Sequence, residues 1–256
     1  MSLTDLWVNS RKQLEGKTIQ QIIAFAGDGQ LRDRNPASDE FRSFLSHVPS
    51  ALLSDYVTQC LEDSFAGSGL ALQDLINQLG RRLGFAVTDG RYRGASGQIG
   101  MDGLWTFPDG HTVIVEVKTT NAYQMSLDTL AKYRRELIAQ SRCTEEDSSI
   151  LIILGRPDRD TRDLEAQIRG SRHAWSIRLI SVEALTRLVG IKEEVDNPQI
   201  VERIAQLLIP REYTKLDDIV ETALRLFSEA LRVDGQAGWM KAPDLVDTRC
   251  EQGDCA

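Results

Sequence analysis

The chain reads as an α/β protein, a mixed sheet covered by helices. Three observations predict this. Apolar residues recur at helical spacing as far as Leu83, and strand-like runs rich in Val, Ile and Thr follow. Three short strands then meander before the first crossover helix. Two further strands alternate with helices, the pattern of parallel crossover units.

The elements follow in order. Residues 1–66 read as a helical segment. Leu14, Ile19, Ile22 and Ile23 recur at helical spacing, as do Phe41, Phe44, Leu45 and Val48. Between them runs AGDGQLRDRNPASDE, a turn-rich connection in which Ser38 is the candidate cap of the following helix. Its Gly27-Asp28-Gly29 lacks the spacing of a phosphate-cradling loop and reads as a structural turn. From Gly69, the residues Leu70, Leu72, Leu75, Ile76, Leu79 and Leu83 mark an amphipathic helix ending near Gly84. Phe85–Thr88, Ile99–Phe107 and His111–Thr120 read as strands, the last two joined by Pro108-Asp109-Gly110. Leu127–Ser141 is a helix carrying Lys132, Arg134 and Arg135. Ser149–Gly155 is apolar enough to be buried on both faces. A short helix over Asp160–Arg169, a strand over Ile177–Val182 and a helix over Glu183–Val189 complete a core spanning 67–192. C-terminal helices are expected within 193–233, at about 199–208 and 215–232, split by Pro210. The polar remainder, 234–256, reads as a mobile tail.

Composition narrows the function. With 256 residues, 41% hydrophobic and 27% charged, the chain suits a soluble globular protein with its own core. The start lacks the apolar stretch of a secretory signal, and the longest apolar run, Ile150–Leu154, is far too short to span a bilayer, so a cytoplasmic protein is expected. Cys60 and Cys143 stand alone, and Cys250 and Cys255 match no zinc-site spacing. The net charge of −8 argues against a nonspecific nucleic-acid coat. Charge is unevenly spread, however. From Arg81 to Arg178 there are 15 Lys/Arg against 13 Asp/Glu, and elsewhere 15 against 25. A locally basic region can bind phosphate on an acidic protein, and solvated surface explains the same bias. There is no phosphate-binding Walker loop and no Ser or Cys triad, and His111 and His173 lack a nucleophile partner.

The hairpin carries the chemistry. In Phe107-Pro108-Asp109-Gly110-His111, Pro suits the fixed φ of a turn and Gly the left-handed position that follows. This is the pattern of a three-residue loop closed by a glycine bulge, which pairs Phe107 with His111. Carried along the strands, that register sets Asp102 opposite Glu116, with Lys118 two residues on and on the same face. Val113, Val115 and Val117 take the other face. Directly opposed carboxylates repel, with Cβ atoms about 5 Å apart. A divalent cation between them turns repulsion into binding. A two-residue Asp109-Gly110 loop would separate the two acids, because a one-residue slip reverses every side chain.

Asp102, thirteen intervening residues and then Glu116-Val117-Lys118 resemble the PD-(D/E)XK motif of restriction-endonuclease-like nucleases. The order of elements over 69–155 resembles that superfamily too. Met101 stands where its Pro is usual, and Pro108-Asp109 falls in the turn, too near Glu116 to be the motif. VEVKTTNAYQMSLDTLAKYR and RGSRHAWSIRLISVEAL resemble segments of a bacterial restriction-endonuclease-like family, over most of 1–230. The resemblance implies a restriction-endonuclease-like core with helical additions at both ends. It implies Mg²⁺, or Mn²⁺, held by Asp102, Glu116 and the Val117 carbonyl, with Gln73 or Asp74 reaching the metal through water. Lys118 would position the attacking water or stabilise charge on the phosphate. Arg91, Arg93, Thr119, Thr120, Tyr123, Arg169 and Arg172 are candidate nucleic-acid contacts.

The expected function is therefore a metal-dependent nuclease, chiefly a DNA endonuclease of restriction, defence or repair type. Dimerisation would supply the second cut of a duplex. The alternatives are a catalytically silent module binding nucleic acid or a partner, and an RNA or small-nucleotide phosphodiesterase. Bland readings compete at each residue: an exposed Glu116–Lys118 pair contributing at most about 1 kcal/mol, a solvated helix face for Asp74, an ordinary loop for Arg91–Arg93, helix-terminal charge for Arg169 and Arg172, and core packing for Trp175.

Overall fold

In the computed structural model, residues 2–63, 65–93, 99–119, 125–155, 159–195, 197 and 199–210 are described. Thr120, Tyr123, the expected helix at 215–232, the tail, Cys250 and Cys255 lie outside these residues.

The N-terminal part is helical: α1 (Leu3–Asn9), α2 (Ile19–Phe25), α3 (Pro36–His47) and α4 (Ser50–Glu62). Local chemistry starts three of these helices. Ser2 with Asp5, and Thr18 with Gln21, form reciprocal capping boxes on α1 and α2. The α3 cap differs from expectation. Asn35, not Ser38, accepts the N–H of Ala37, and Pro36 occupies the first helical position, where its missing N–H is harmless. Ser38 lies inside the helix, buried. Its Oγ accepts the Arg32 N–H at 2.9 Å and donates to the Arg32 carbonyl at 2.8 Å. The segment 27–29 is a structural turn, with Asp28 accepting from the Gln30 N–H and from Asn35 Nδ2.

After α5 (Ser68–Arg82) come β1 (Ala86–Asp89), β2 (Gly103–Thr106), β3 (Thr112–Lys118), α6 (Leu127–Ala139), β4 (Ser148–Leu154), α7 (Arg159–Arg169), β5 (Ile177–Ser181), α8 (Val182–Glu194) and α9 (Gln199–Leu208). The five strands form one open mixed sheet in chain order. β1, β2 and β3 pair antiparallel; β3 with β4 and β4 with β5 pair parallel. Hence the start of β2 and the ends of β1, β3, β4 and β5 share one edge. Ligands of open α/β sheets collect at such an edge.

Alternation along the strands separates two apolar layers. Trp105, Val113, Val115, Leu151 and Ile153 join α1–α5, α8 and α9 in the larger core. The helices α1–α4 are thus built into the same core as one face of the sheet. Leu104, Ile114, Ile150 and Ile152 pack on the other face against Leu127, Leu130 and Leu137 of α6 and Leu164 and Ile168 of α7. β4 is buried throughout, as its composition predicts. Trp175 differs from expectation: it is 58% exposed, because it lies in a short turn before β5 and not on a strand face. Among the described residues no helix is long and apolar enough to cross a membrane.

Candidate functional site

The hairpin turn forms as its residues predict. The Phe107 N–H donates to the His111 carbonyl and the Gly110 N–H to the Phe107 carbonyl, both at 2.9 Å. Gly110 adopts φ 92°, the left-handed region that favours glycine. The pairs Thr106–Thr112, Trp105–Val113, Leu104–Ile114 and Gly103–Val115 follow in the expected register.

At Asp102 the ladder changes. Its N–H donates to the Val115 carbonyl at 3.1 Å, although Val115 is already the partner of Gly103. Two residues of one strand face one of the other, which is a β-bulge. This is why β2 is shorter than the strand expected over Ile99–Phe107. Asp102 is therefore not a plain ladder partner of Glu116. Its carboxylate instead takes over a backbone role: Oδ2 accepts the Val117 N–H at 2.7 Å. A strand residue points its N–H and C=O to the same side. The Val117 carbonyl therefore opens on the edge that Asp102 occupies.

Glu116 is only 8% exposed, so it does not lie on a solvated hairpin face. Lys118 Nζ sits 2.6 Å from Glu116 Oε1. Burial, and then the negative charge of Glu116, push the Asp102 carboxyl well above the usual carboxylate range; the Val117 N–H and Lys118 oppose this only in part. Burial disfavours the Lys118 ammonium, but the hydrogen bond and charge of Glu116, with Asp102 behind it, outweigh that and raise its pKa. Two acids and one ammonium thus share a half-enclosed edge with negative charge in excess. Such a set suits a hard cation bound through oxygen. Among the described residues no three His, Cys, Asp or Glu side chains converge, so protein ligands would be two carboxylates and the Val117 carbonyl.

A clamp on the other side of Asp102 has no counterpart in the sequence reading. Its carbonyl accepts three donors: Gln73 Nε2 at 3.0 Å, Asn77 Nδ2 at 2.9 Å and the Gly90 N–H at 3.0 Å. Asn77 Oδ1 in turn accepts Trp105 Nε1 at 2.9 Å. A side chain at Gly103 would collide with Asn77 Oδ1, so the close approach of α5 to β2 requires glycine there. The signal available in the sequence was the four-residue spacing that puts Gln73 and Asn77 on one face of the α5 helix.

The other candidates fall elsewhere. Asp74 is buried, not on a solvated face. Arg42 Nε donates to its Oδ1 at 2.9 Å and the Tyr92 hydroxyl to its Oδ2, so both oxygens are engaged away from the hairpin. Desolvation raises its pKa to about 6 despite Arg42. Tyr92 is used internally, since the Arg42 guanidinium also lies over its ring. The Tyr92 and Arg93 N–H groups donate to Asp33. Arg91 lines a cavity beside Met101. Thr119 is exposed just past β3. Arg169 pairs with Glu165 at 3.2 Å, and Arg172 pairs with Asp128 at 2.7 Å. His173 Nε2 also meets Asp128, at 2.7 Å. His111 does have a hydroxyl partner, Ser149 Oγ at 2.8 Å from Nε2, but the pair is buried at the opposite end of β3.

Compared with family models and with curated proteins, the chain matches none.

Proposed function

We propose that the chain is a metal-dependent phosphodiesterase of the restriction-endonuclease-like kind, acting on DNA. The observation that carries this reading is the bulge at Asp102. It turns that carboxylate onto the Val117 N–H, beside Glu116 and Lys118, and so gathers the residues of the D…E-x-K motif on one edge. Bulges are enriched beside active sites because they re-aim a side chain.

Asp102 and Glu116, with the Val117 carbonyl, would hold Mg²⁺ or Mn²⁺. When bound, such an ion polarises the scissile phosphate and lowers the pKa of a bound water. Lys118 is the group that can orient that water or neutralise charge growing on the phosphate oxygens. Gln73, Asn77 and Gly90 hold the Asp102 peptide so that its carboxylate stays at the edge. Gln73 acts here through the Asp102 carbonyl, and Asp74 supports the fold through Arg42 and Tyr92.

One observation favours a second reading, a silent binding module. The Lys118–Glu116 pair at 2.6 Å already neutralises one of the two acids. The test is incubation of the purified chain with plasmid, single-stranded DNA and RNA, with Mg²⁺, Mn²⁺ or EDTA. Cleavage that needs metal and disappears in Asp102→Asn and Lys118→Ala supports the nuclease. Binding without cleavage of any substrate, unchanged in both variants, supports the module and removes the nuclease. Cleavage confined to RNA or to small nucleotides moves the substrate and keeps the site.

A further inference from the structure

Beside the carboxylate pair, on the β1 side, the surface opens into a cavity of about 310 Å³. Its inner wall includes Met101 and Gly90, and both adjoin Asp102: Met101 as its chain neighbour, Gly90 through the N–H given to its carbonyl. Met101 belongs to the apolar layer of the sheet face that also carries Leu104 and Ile114. The even-numbered positions of β3, Glu116 and Lys118 included, belong to that face.

Arg91, Gln140 and Arg142 also line the cavity. Among the described residues neither of these guanidinium groups has a carboxylate partner. Arg42, Arg81, Arg169, Arg172 and Arg187 are held by acids, whereas Arg91 and Arg142, like Arg34, Arg93 and Arg135 elsewhere among the described residues, are not; what sets Arg91 and Arg142 apart is that both line one recess. Asp89, an acid in the lining, is engaged by Arg81 through Oδ2 at 2.6 Å, while its Oδ1 is buried without a hydrogen-bond partner. In a chain of net charge −8, two cations left unpaired around a polar recess suit an anionic ligand.

Size narrows the ligand. About 310 Å³ is the lower end of the small-molecule range. It is room enough for a single nucleotide. Guanidinium planes can hold a phosphate and also stack on a base. A nucleotide seated there would have its neighbouring phosphodiester towards Asp102.

We infer that this cavity holds one unpaired nucleotide of a single-stranded segment, with Arg91 and Arg142 on its phosphate or base, next to the bond presented to Asp102 and Glu116. The inference rests on the phosphodiesterase reading and adds to it the substrate class: nucleic acid that is single-stranded at the site.

The test is binding of a labelled single-stranded oligonucleotide and of a blunt duplex of equal length, in EDTA and over a series of salt concentrations. The wild-type chain binds the single strand at least about ten-fold more tightly than the duplex. The double variant R91A/R142A loses at least about ten-fold of that affinity, and its salt slope falls by roughly 0.7 to 1.4, one to two phosphate contacts. Equal or tighter binding of duplex, or wild-type affinity and slope in the double variant, overturns the inference. Should the double variant not fold, R142A at its exposed position is read the same way, with about half the change in slope. The readout involves no cleavage. A chain that never cuts yet shows these losses keeps the cavity and loses the enzyme. A chain that cuts with Mg²⁺ while R91A/R142A binds unchanged keeps the enzyme and loses the cavity.

Discussion

The two ends of β3 treat buried polar groups in opposite ways. At the turn end, His111 and Ser149 meet at 2.8 Å, and His111 is only 8% exposed. Burial holds the His111 imidazole below its usual pKa, towards the neutral form. The result is a satisfied neutral pair, which a protein interior tolerates well. At the other end the ladder breaks into a bulge, where Asp102 and Glu116 influence each other's charge and the one ammonium, Lys118, pairs with Glu116. Burial and like charge raise Asp102 there, so folding is opposed and not aided by that carboxylate. A strand that can bury a neutral pair at one end has no packing need for a charged one at the other. The difference is what the proposed function would account for at the Asp102 end.

The largest expected effect breaks the comparison at the charged end. Asp102→Asn keeps the shape and an acceptor for the Val117 N–H but removes the charge. Metal-dependent cleavage falls by at least about 100-fold, the scale of losing one transition-state contact. Thermal stability at neutral pH stays equal or rises, because a buried carboxylate beside another acid has been neutralised. Turnover assays and thermal melts on the same preparation check both. Retained activity would remove the catalytic reading of the bulge.

The next effect concerns the buried acid that anchors α5. Asp74 has its pKa raised from 3.8 to about 6, with desolvation as the main cause and Arg42 opposing it. The folded state therefore binds this proton more tightly than the unfolded chain. Its contribution is fully present below about pH 3.8 and is lost as pH rises through about 6. Asp74→Asn lacks that titration. Relative to wild type, its stability should climb between pH 4 and pH 7 by up to about 3 kcal/mol. Urea unfolding at several pH values reads this directly, and parallel curves for the two proteins would refute it.

The Asn77 clamp comes next. Asn77→Ala leaves the Trp105 N–H without its acceptor and the Asp102 carbonyl one donor short. The stability loss should be about 1–3 kcal/mol. If Asn77 positions Asp102, amide exchange at Val117 speeds up more than at Val113 or Val115, and Mn²⁺ affinity falls. Uniform loss of protection along β3, with Mn²⁺ affinity unchanged, would make Asn77 a purely structural residue.

These residues also show what was legible in advance. Pro108-Asp109-Gly110 determines loop length locally, so the register from Thr106–Thr112 to Gly103–Val115 could be read from a few neighbouring residues. The bulge could not. It goes with contacts distant in the chain, such as the α5 amide of Asn77 on the Asp102 carbonyl 25 residues away. The same contrast separates Asn35 from Ser38. Both are residue types that cap helices, but Ser38 lies inside α3, buried, with its hydroxyl on the Arg32 backbone. The spacing of Asp102, Glu116 and Lys118 was visible as a pattern. The carboxylate's use of the Val117 N–H depends on side-chain geometry that spacing alone does not contain.

The smallest expected effect sharpens the comparison from its quiet end. Ser149→Ala removes one partner of the neutral pair and leaves His111 Nε2 facing an apolar neighbour. The stability loss should be about 1 kcal/mol, somewhat more if the nitrogen stays dry. Metal-dependent activity and Mn²⁺ affinity should match wild type, because the pair lies at the far end of β3 from Asp102. If Ser149→Ala lowered turnover as Asp102→Asn does, the ends of the strand would be functionally coupled. The division of β3 into a structural end and a working end would then fail.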